Sequence, residues 1–237
     1  MHEISISQQL VDAIVSRLGR LPRHVTLDAS KTALVVIDMQ NVFMLPGMPV
    51  EVPAAREIVP NINRLAAAMR EAGGKVIWVK MTLEGQSNVW SVLFDCDPNP
   101  AAFEQMMPGS HGFELHADLD VRPEDIILEK NRFSAFIQGA SDIDRVLRAA
   151  GIDTIVVTGT LTNICCESSA RDAMMLNYKV VLVSDANAAI TDAEHNAALN
   201  TVLFAFGDVP TTDDVIGRLT SSKSGRVRAD ATSGALI

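Results

Sequence analysis

The sequence is poor in cysteine, with three thiols in 237 residues. A small, odd number of cysteines does not indicate a disulfide framework, and free thiols suit a reducing compartment. The first twenty residues contain no basic segment followed by an uninterrupted apolar run, so we expect no secretory signal. We therefore expect a cytoplasmic protein.

Basic residues and long hydrophobic runs are also few. Lys and Arg number 20 against 29 Asp and Glu, which gives a net charge of −9. Because nucleic acids and anionic membranes are bound through basic surfaces, this balance argues against both as partners. The longest apolar runs, such as residues 32–37, are far shorter than the about 20 residues that cross a bilayer. We expect neither a nucleic-acid nor a membrane partner.

Aromatic residues make up only 5% of the chain, but hydrophobic residues make up 48%, which is enough for a sizeable core. Short β-branched runs alternate with patterns of helical period. The runs are residues 33–37, 75–79, 126–128, 154–157 and 180–183, and the helical patterns are residues 58–69, 142–150, 165–176 and 193–206. This alternation predicts an α/β fold: a single doubly wound domain whose mainly parallel central sheet is flanked by helices in a three-layer sandwich.

Three segments lie outside that alternation. Residues 1–28 are predicted to form an N-terminal helical extension, ahead of an α/β domain over residues 29–220. Residues 221–237 are rich in small and polar residues, which predicts a mobile C-terminal tail. Residues 82–122 form a long connection, and connections of that length usually serve a function or an interface.

Three reactive side chains fall where predicted strands end. Asp38 follows residues 33–37, Lys130 follows residues 126–129, and Cys165 follows residues 154–159 after a short turn. Parallel strands bring their carboxyl ends to one edge of the sheet, which is where ligands bind in open α/β sheets. Each residue alone has an ordinary structural explanation, as a turn aspartate, a solvated lysine or a buried thiol. Their convergence predicts a catalytic site.

The neighbouring thiols Cys165 and Cys166 point in directions about 100° apart on a helix. One of them can therefore face the cleft while the other packs into the core. A thiol in the first turn of a helix is expected to have a lowered pKa, because the positive end of the helix dipole favours thiolate. Cys96 lies in the long connection and has no predicted role.

Three segments resemble the motifs of the isochorismatase-like cysteine hydrolases, a family that includes nicotinamidase and the N-carbamoylsarcosine, ureidoacrylate and biuret hydrolases. Residues 158–173, TGTLTNICCESSARDA, are similar to the nucleophile motif. Residues 36–41, VIDMQN, resemble the aspartate motif, and residues 129–136, EKNRFSAF, the lysine motif. The order and spacing of the three fit, and the resemblance covers roughly residues 30–220.

The resemblance implies a role for each residue of the site. Cys165, three positions after Thr162, is the implied nucleophile, and Cys166 is implied to pack. Asp38 would take the thiol proton, and Lys130 would stabilise the separated charges. The implied activity is hydrolysis of a small amide, ureide or carbamoyl compound through a thioester, with release of ammonia or a small amine.

The resemblance also implies an oxyanion hole. A cis peptide bond between Thr160 and Leu161 would direct the backbone N–H of Leu161, together with that of Cys165, at the developing oxyanion.

Two departures from the family bear on ligands. Nicotinamidases carry a metal site built from Asp and His soon after the aspartate motif, whereas no His follows Asp38 closely and the five histidines are scattered. We therefore expect no metal and no cofactor. The ureidoacrylate branch has an asparagine after its second strand and a tyrosine after the lysine motif, where this chain has Met81 and Phe133.

The remaining expectations concern substrate, assembly and alternative functions. Candidate substrate-binding residues, beside Leu161, are Gln40, Asn41, Trp78, Phe133 and Phe136. Family members are commonly dimers or tetramers, so a homo-oligomer is expected. Three alternative functions are open: an enol-ether hydrolase like isochorismatase itself, a non-catalytic flavodoxin-like carrier, and a catalytically idle binding scaffold. The enol-ether hydrolases do not need the cysteine. The carrier would need a phosphate-binding loop after the first strand, where Asp38 stands.

Overall fold

A computed structural model describes residues 1–86, 89–96 and 99–220 of the chain. Its centre is a parallel sheet of five strands in the order β4-β3-β2-β5-β6. The strands are β2 (Thr32–Ile37), β3 (Lys75–Met81), β4 (Ile126–Lys130), β5 (Thr154–Thr160) and β6 (Lys179–Ala188). A separate two-stranded parallel pair joins β1 (Leu27–Asp28) to β7 (Leu219–Thr220).

Nine α-helices lie within the described ranges. They are α1 (Gln8–Leu18), α2 (Asn41–Met44), α3 (Val59–Ala72), α4 (Ser91–Cys96), α5 (Pro100–Gln105), α6 (Ile143–Ala149), α7 (Glu167–Met175), α8 (Asp192–Thr201) and α9 (Thr212–Arg218). Two π-helical turns, Thr162–Cys166 and Val202–Phe206, adjoin α7 and α8. Short 3₁₀ turns lie at Ala29–Lys31, Pro53–Arg56 and His111–Phe113.

Both faces of the central sheet are covered. All six residues of β2 are buried, and successive side chains of a strand point to opposite faces. Leu34 and Val36 belong to one core cluster, which includes residues of α3 and α9. Val35 and Ile37 belong to a second cluster, which includes residues of α6 and α7. The prediction of a doubly wound three-layer α/β fold is confirmed.

Some elements extend or end elsewhere than the sequence pattern indicated. β6 continues past residue 183 to Ala188, and polar side chains in this part of the strand bond to neighbouring backbone carbonyls. The side-chain amide of Asn187 donates to the carbonyls of Val157 and Val183, and the Ser184 hydroxyl donates to the carbonyl of Pro210. The helix expected from residue 165 begins at Glu167, after the π-helical turn.

The N-terminal segment is helical only over α1 and is anchored to the rest of the chain. The Ser5 N–H donates to Oδ1 of Asn196 at 2.7 Å, and the Ser7 N–H to Oδ1 of Asn200 at 2.8 Å, so residues 5–7 lie along α8. β1 also falls within residues 1–28, and it pairs with β7. The boundary at residue 28, between the N-terminal extension and the α/β domain, stays a prediction. The predicted mobile tail at residues 221–237 lies outside the described residues.

Gly159, near the end of β5, is required by its backbone. Its φ is +117°, and a Cβ atom there would overlap the carbonyl oxygen of Ile37 on the neighbouring strand. Gly159→Ala is expected to lower the free energy of unfolding by at least about 2 kcal/mol, through overpacking and backbone strain. Gly217→Ala is the matched control, because nothing lies within 4 Å of the added Cβ and alanine favours helix by about 0.5–1 kcal/mol. Urea unfolding measures both, and equal effects would contradict the assigned role of Gly159.

Candidate active site

The strand order places a topological switch point between β2 and β5. From β2 the chain runs outward to β3 and β4, and then returns to the other side of β2 to form β5 and β6. Ligands of open α/β sheets bind outside the carboxyl ends of the strands at such a point. Asp38 directly follows β2, Lys130 is the last residue of β4, and Cys165 lies in the turn after β5.

The structure brings these three residues into contact. Nζ of Lys130 lies 2.7 Å from Oδ2 of Asp38 and 3.5 Å from Sγ of Cys165. It is also 3.1 Å from the carbonyl oxygen of Arg132 and 3.3 Å from Sδ of Met81. Asp38 and Lys130 have 0% of their surface exposed, and Cys165 has 6%. The Lys130 ammonium is therefore surrounded by groups of the protein. Of the three residues, only Cys165 is partly exposed.

Backbone contacts fix the direction of the Asp38 carboxylate. The residue has a φ of +53°, in the left-handed region. Its N–H donates to the carbonyl of Val79 at 2.9 Å, and its carbonyl accepts the Thr160 hydroxyl at 2.8 Å. These bonds tie Asp38 to both strands that flank β2, next to the Lys130 ammonium.

Burial controls the protonation of the site. It raises the pKa of Asp38, although the Lys130 ammonium opposes the shift. The pKa of Lys130 is also raised. Burial alone would lower it, but the interactions of the ammonium with the Asp38 carboxylate and with Cys165 have the larger effect. Burial raises the pKa of the Cys165 thiol, and Asp38 adds to the rise while Lys130 reduces it. The expectation of a lowered thiol pKa is wrong for the resting protein, because burial of the thiol outweighs the opposing effect of the Lys130 ammonium.

The turn that carries Cys165 is stabilised by hydrogen bonds within the turn and by a hydrogen bond to α8. A cis peptide bond joins Thr160 to Leu161, as the resemblance implied. The Leu161 carbonyl accepts the N–H groups of Ile164 and Cys166, both at 3.1 Å. Cys166 is fully buried and belongs to the core cluster that contains Val35 and Ile37, so the adjacent thiol is enclosed by packing.

A buried histidine supports the same turn. Nε2 of His195 lies 3.0 Å from the carbonyl of Ser184, so this nitrogen carries the proton, and Nδ1 accepts the Thr162 hydroxyl at 2.9 Å. Burial lowers the pKa of His195 to about 4. The imidazole therefore stays neutral at physiological pH and orients the start of the turn that carries Cys165.

Cys165 lines a cavity of about 170 Å³. The turn that carries Cys165 contributes Leu161 and Ile164, and the loop after β4 contributes Phe133. The chain that follows β2 and the end of β3 supply a second wall, made of Phe43, Val50, Met81 and Leu83. Asp38 and Lys130 lie behind the thiol and do not line the cavity.

The long connection over residues 82–122 supplies the remaining wall. Helices α4 and α5 fold over the carboxyl edge of the sheet and contribute Leu93, Asn99, Ala102, Phe103 and Met106. These residues were not among those predicted for the site from the sequence. The signal that could have found them was the concentration of apolar residues in a segment too long for a simple connection.

The candidate substrate-binding residues have different positions. Phe133 lines the cavity, as does Leu161, whereas the other four candidates do not. The Gln40 side chain bonds to the backbone of Met81 and Phe113, and the Asn41 amide donates to the carbonyl of His111.

Trp78 and Phe136 pack in the interior. Trp78 is fully buried and donates its indole N–H to Asp125 at 2.8 Å. Phe136 packs against Tyr178 in the core cluster on one face of the sheet, with ring centroids 5.7 Å apart. Neither ring faces the cavity beside the thiol.

The described residues contain neither a cluster of metal ligands nor a helix that could span a membrane. No group of three or more His, Cys, Asp or Glu side chains there could hold a metal ion. None of the helices in the same ranges has the length and apolar character needed to span a bilayer.

Comparison with known proteins identifies the family. A model of the isochorismatase domain matches residues 32–214. A ureidoacrylate amidohydrolase of Variovorax paradoxus is 32% identical over 220 residues, which cover 82% of this chain and 84% of the relative. A Caulobacter vibrioides protein of the same name is 34% identical over 214 residues, which cover 83% and 94%.

Solved structures agree with the sequence relatives. A cysteine hydrolase from Pseudomonas syringae superposes with a TM-score of 0.76 at 32% identity, covering 84% of this chain and 98% of that one. The N-carbamoylsarcosine amidase of Thermoplasma acidophilum superposes with a TM-score of 0.62 at 28% identity, covering 77% and 97%. The family expected from the three motifs is confirmed, and this chain belongs to the isochorismatase domain family.

Proposed function

We propose that the protein is a cysteine-dependent hydrolase that acts on the C–N bond of a small amide, ureide or carbamoyl compound. The observation that carries the proposal is the convergence of Asp38, Lys130 and Cys165, with the thiol facing a cavity. The curated relatives named as amidohydrolases and the related amidase structure support the same reaction class.

The protonation of the site supports a concerted start to the reaction. Because the pKa of the Cys165 thiol is raised, the thiol keeps its proton until substrate is bound. Asp38 is a buried carboxylate with a raised pKa, and it can accept that proton as a general base. Lys130 lies within 2.7 Å of the carboxylate and 3.5 Å of the sulfur, so its charge stabilises thiolate as it forms.

Each step of the proposed reaction is assisted by a group of the site. Sγ of Cys165 adds to the carbonyl carbon, and the backbone N–H groups of Leu161 and Cys165 stabilise the resulting oxyanion. Protonated Asp38 delivers its proton to the departing nitrogen as the C–N bond breaks, leaving a thioester and releasing ammonia or an amine. Water, deprotonated by Asp38, adds to the thioester; the acid departs and the thiol is restored.

Ammonia release from a panel of primary amides, ureides and carbamoyl compounds, including ureidoacrylate, tests the proposal. Acid quenching during turnover should leave an acyl group on the peptide that contains Cys165, detected by mass spectrometry. The Cys165→Ser variant is the control for both measurements. Hydrolysis of an enol ether without any ammonia release or acyl-enzyme would instead support the isochorismatase-like alternative.

Activity is expected to be indifferent to chelators and to need no added cofactor, because the proposed steps use only side chains and backbone groups of this chain. Dialysis against a chelator followed by assay and metal analysis checks this. A stoichiometric transition metal whose removal abolishes activity would refute it.

We also propose a cytoplasmic homo-oligomer, either a dimer or a tetramer. All three cysteines are free, with Cys96 exposed, which suits a reducing compartment. Large apolar side chains remain exposed, among them Val15 and Leu18 on α1, Met175 on α7 and Phe204 after α8. Exposed apolar patches commonly mark interfaces. Light scattering should report a mass at least twice 25.5 kDa at micromolar concentration, and a monomer would contradict the proposal.

A further inference from the structure

The cavity beside Cys165 has almost no polar lining. Of its 13 lining residues, 11 are apolar, and the exceptions are Asn99 and Cys165 itself. Oδ1 of Asn99 accepts the N–H of Ala102 at 3.1 Å, where it caps α5. Among the lining side chains, the polar donor left for a ligand is the amide NH₂ group of Asn99, beside the backbone N–H groups of Leu161 and Cys165 proposed for the oxyanion.

The cations of Lys130 and Arg132 do not line the cavity. Nζ of Lys130 is within bonding distance of Asp38, Cys165 and the Arg132 carbonyl. The Arg132 guanidinium donates to the Gln86 side chain at 2.7 Å and to the Asn131 carbonyl at 2.6 Å.

The Lys80 ammonium lies over the Phe113 ring, 3.7 Å from its centre. Neither Lys80 nor any other charged residue of the described ranges lines the cavity. A carboxylate placed there would lose its hydration without gaining a counter-charge, which costs a great deal of free energy.

The size of the cavity sets a limit on the ligand. A dry apolar cavity of about 150 Å³ holds a benzene molecule, and this cavity measures about 170 Å³. The group that occupies it is therefore of the order of a phenyl ring or a short branched alkyl chain.

We propose that the substrate is a primary carboxamide whose acyl group is uncharged, apolar and about the size of a benzene ring. This inference rests on the proposed function, since it names the substrate class of the same thiol. The acyl group is the part held in the cavity, because it stays bonded to Sγ of Cys165 through both chemical steps, whereas ammonia leaves after the first. The reaction consumes one amide and one water and yields one carboxylic acid and one ammonia.

A matched pair of amides tests the apolar requirement. In 4-methylpentanamide an isopropyl group takes the place and the shape of the carboxylate of succinamate. We expect kcat/KM for 4-methylpentanamide to exceed that for succinamate by at least about 100-fold, from the unpaired carboxylate alone. Among straight-chain amides, kcat/KM should rise about 4-fold for each added methylene until the cavity is full, and then fall. Equal rates, or a preference for succinamate, would overturn the inference.

A variant of the wall provides a second readout. Leu93 lines the cavity on α4 and is only partly buried, so Leu93→Arg can fold with its guanidinium reaching solvent or ligand. It should shift the ratio of the two kcat/KM values at least about 10-fold towards succinamate, since a charge-assisted pair replaces an unpaired carboxylate. Leu93→Met is the control and should leave the ratio unchanged. An unchanged ratio in a folded Leu93→Arg protein would count against the assigned cavity.

Binding separates failure of this inference from failure of the proposed function. NMR titration of both amides into the Cys165→Ala variant needs no chemistry and reports only which acyl group the cavity accepts. Tighter binding of 4-methylpentanamide supports the inference even if no amide is turned over, in which case the proposed function alone fails. Tighter binding of succinamate overturns the inference and leaves the hydrolase proposal standing if ammonia is released.

Discussion

Cys165→Ser is expected to lower kcat by at least about 10⁴-fold, because the hydroxyl is a far weaker nucleophile in a site whose base serves a thiol. The substitution changes one atom at a position with 6% of its surface exposed, so the fold should survive. Circular dichroism and thermal unfolding establish that the variant is folded, and ammonia release measures the loss. Acyl-enzyme should also disappear from the peptide containing residue 165.

Cys166 supplies the matched control on the adjacent position. Its thiol is fully buried in the core cluster and lies 3.9 Å from the Thr158 carbonyl oxygen, away from the cavity lining. Cys166→Ala removes packing and is expected to cost about 1 kcal/mol of stability while leaving kcat within a few-fold of wild type. Equal loss of activity from both variants, or loss from Cys166→Ala alone, would remove Cys165 from the mechanism.

The fold and the convergence of the three reactive residues could be predicted because both follow from where the strands begin and end in the sequence. Runs of apolar residues located β2, β4 and β5, and the geometry of a parallel sheet then placed Asp38, Lys130 and Cys165 at one edge. No long-range detail was needed beyond the parallel direction of the strands.

The cavity could not be predicted in the same way, because its walls come from segments without strand-like or long helical periodicity. Phe103 and Met106 reach the thiol only because α5 folds back over the sheet edge. Trp78 was proposed for the substrate, but its ring faces the core and its N–H bonds to Asp125. The pKa of Cys165 also depends on burial by distant residues, which local position in a helix does not reveal.

Asp38→Asn and Lys130→Met are also expected to lower the catalytic rate strongly. Asparagine keeps the shape of aspartate but cannot accept the thiol proton, and loss of a general base typically lowers the rate about 10²–10⁴-fold. In wild type the acid limb of the pH–kcat/KM profile should have its midpoint above 3.8, because burial raises the pKa of Asp38. That limb should vanish from any residual activity of the Asn variant.

Stability must be separated from catalysis here, because the two residues form a buried ion pair. Removing one partner leaves the other charge buried and unpaired, so each single variant is expected to lose about 3–5 kcal/mol of stability. The double variant Asp38→Asn with Lys130→Met contains neither charge and should recover most of that loss. If the pair were only structural, activity would return with stability.

The double variant is instead expected to be folded and inactive. Lys130 lowers the pKa of the Cys165 thiol, against the effect of burial, so its loss should make the thiol still less acidic. Alkylation by iodoacetamide at residue 165 should then be slower in Lys130→Met than in wild type at any pH below the pKa of the thiol, since thiolate is the reacting form. Recovery of both stability and turnover in the double variant, with alkylation unchanged in Lys130→Met, would leave Cys165 without its proposed base and counter-charge.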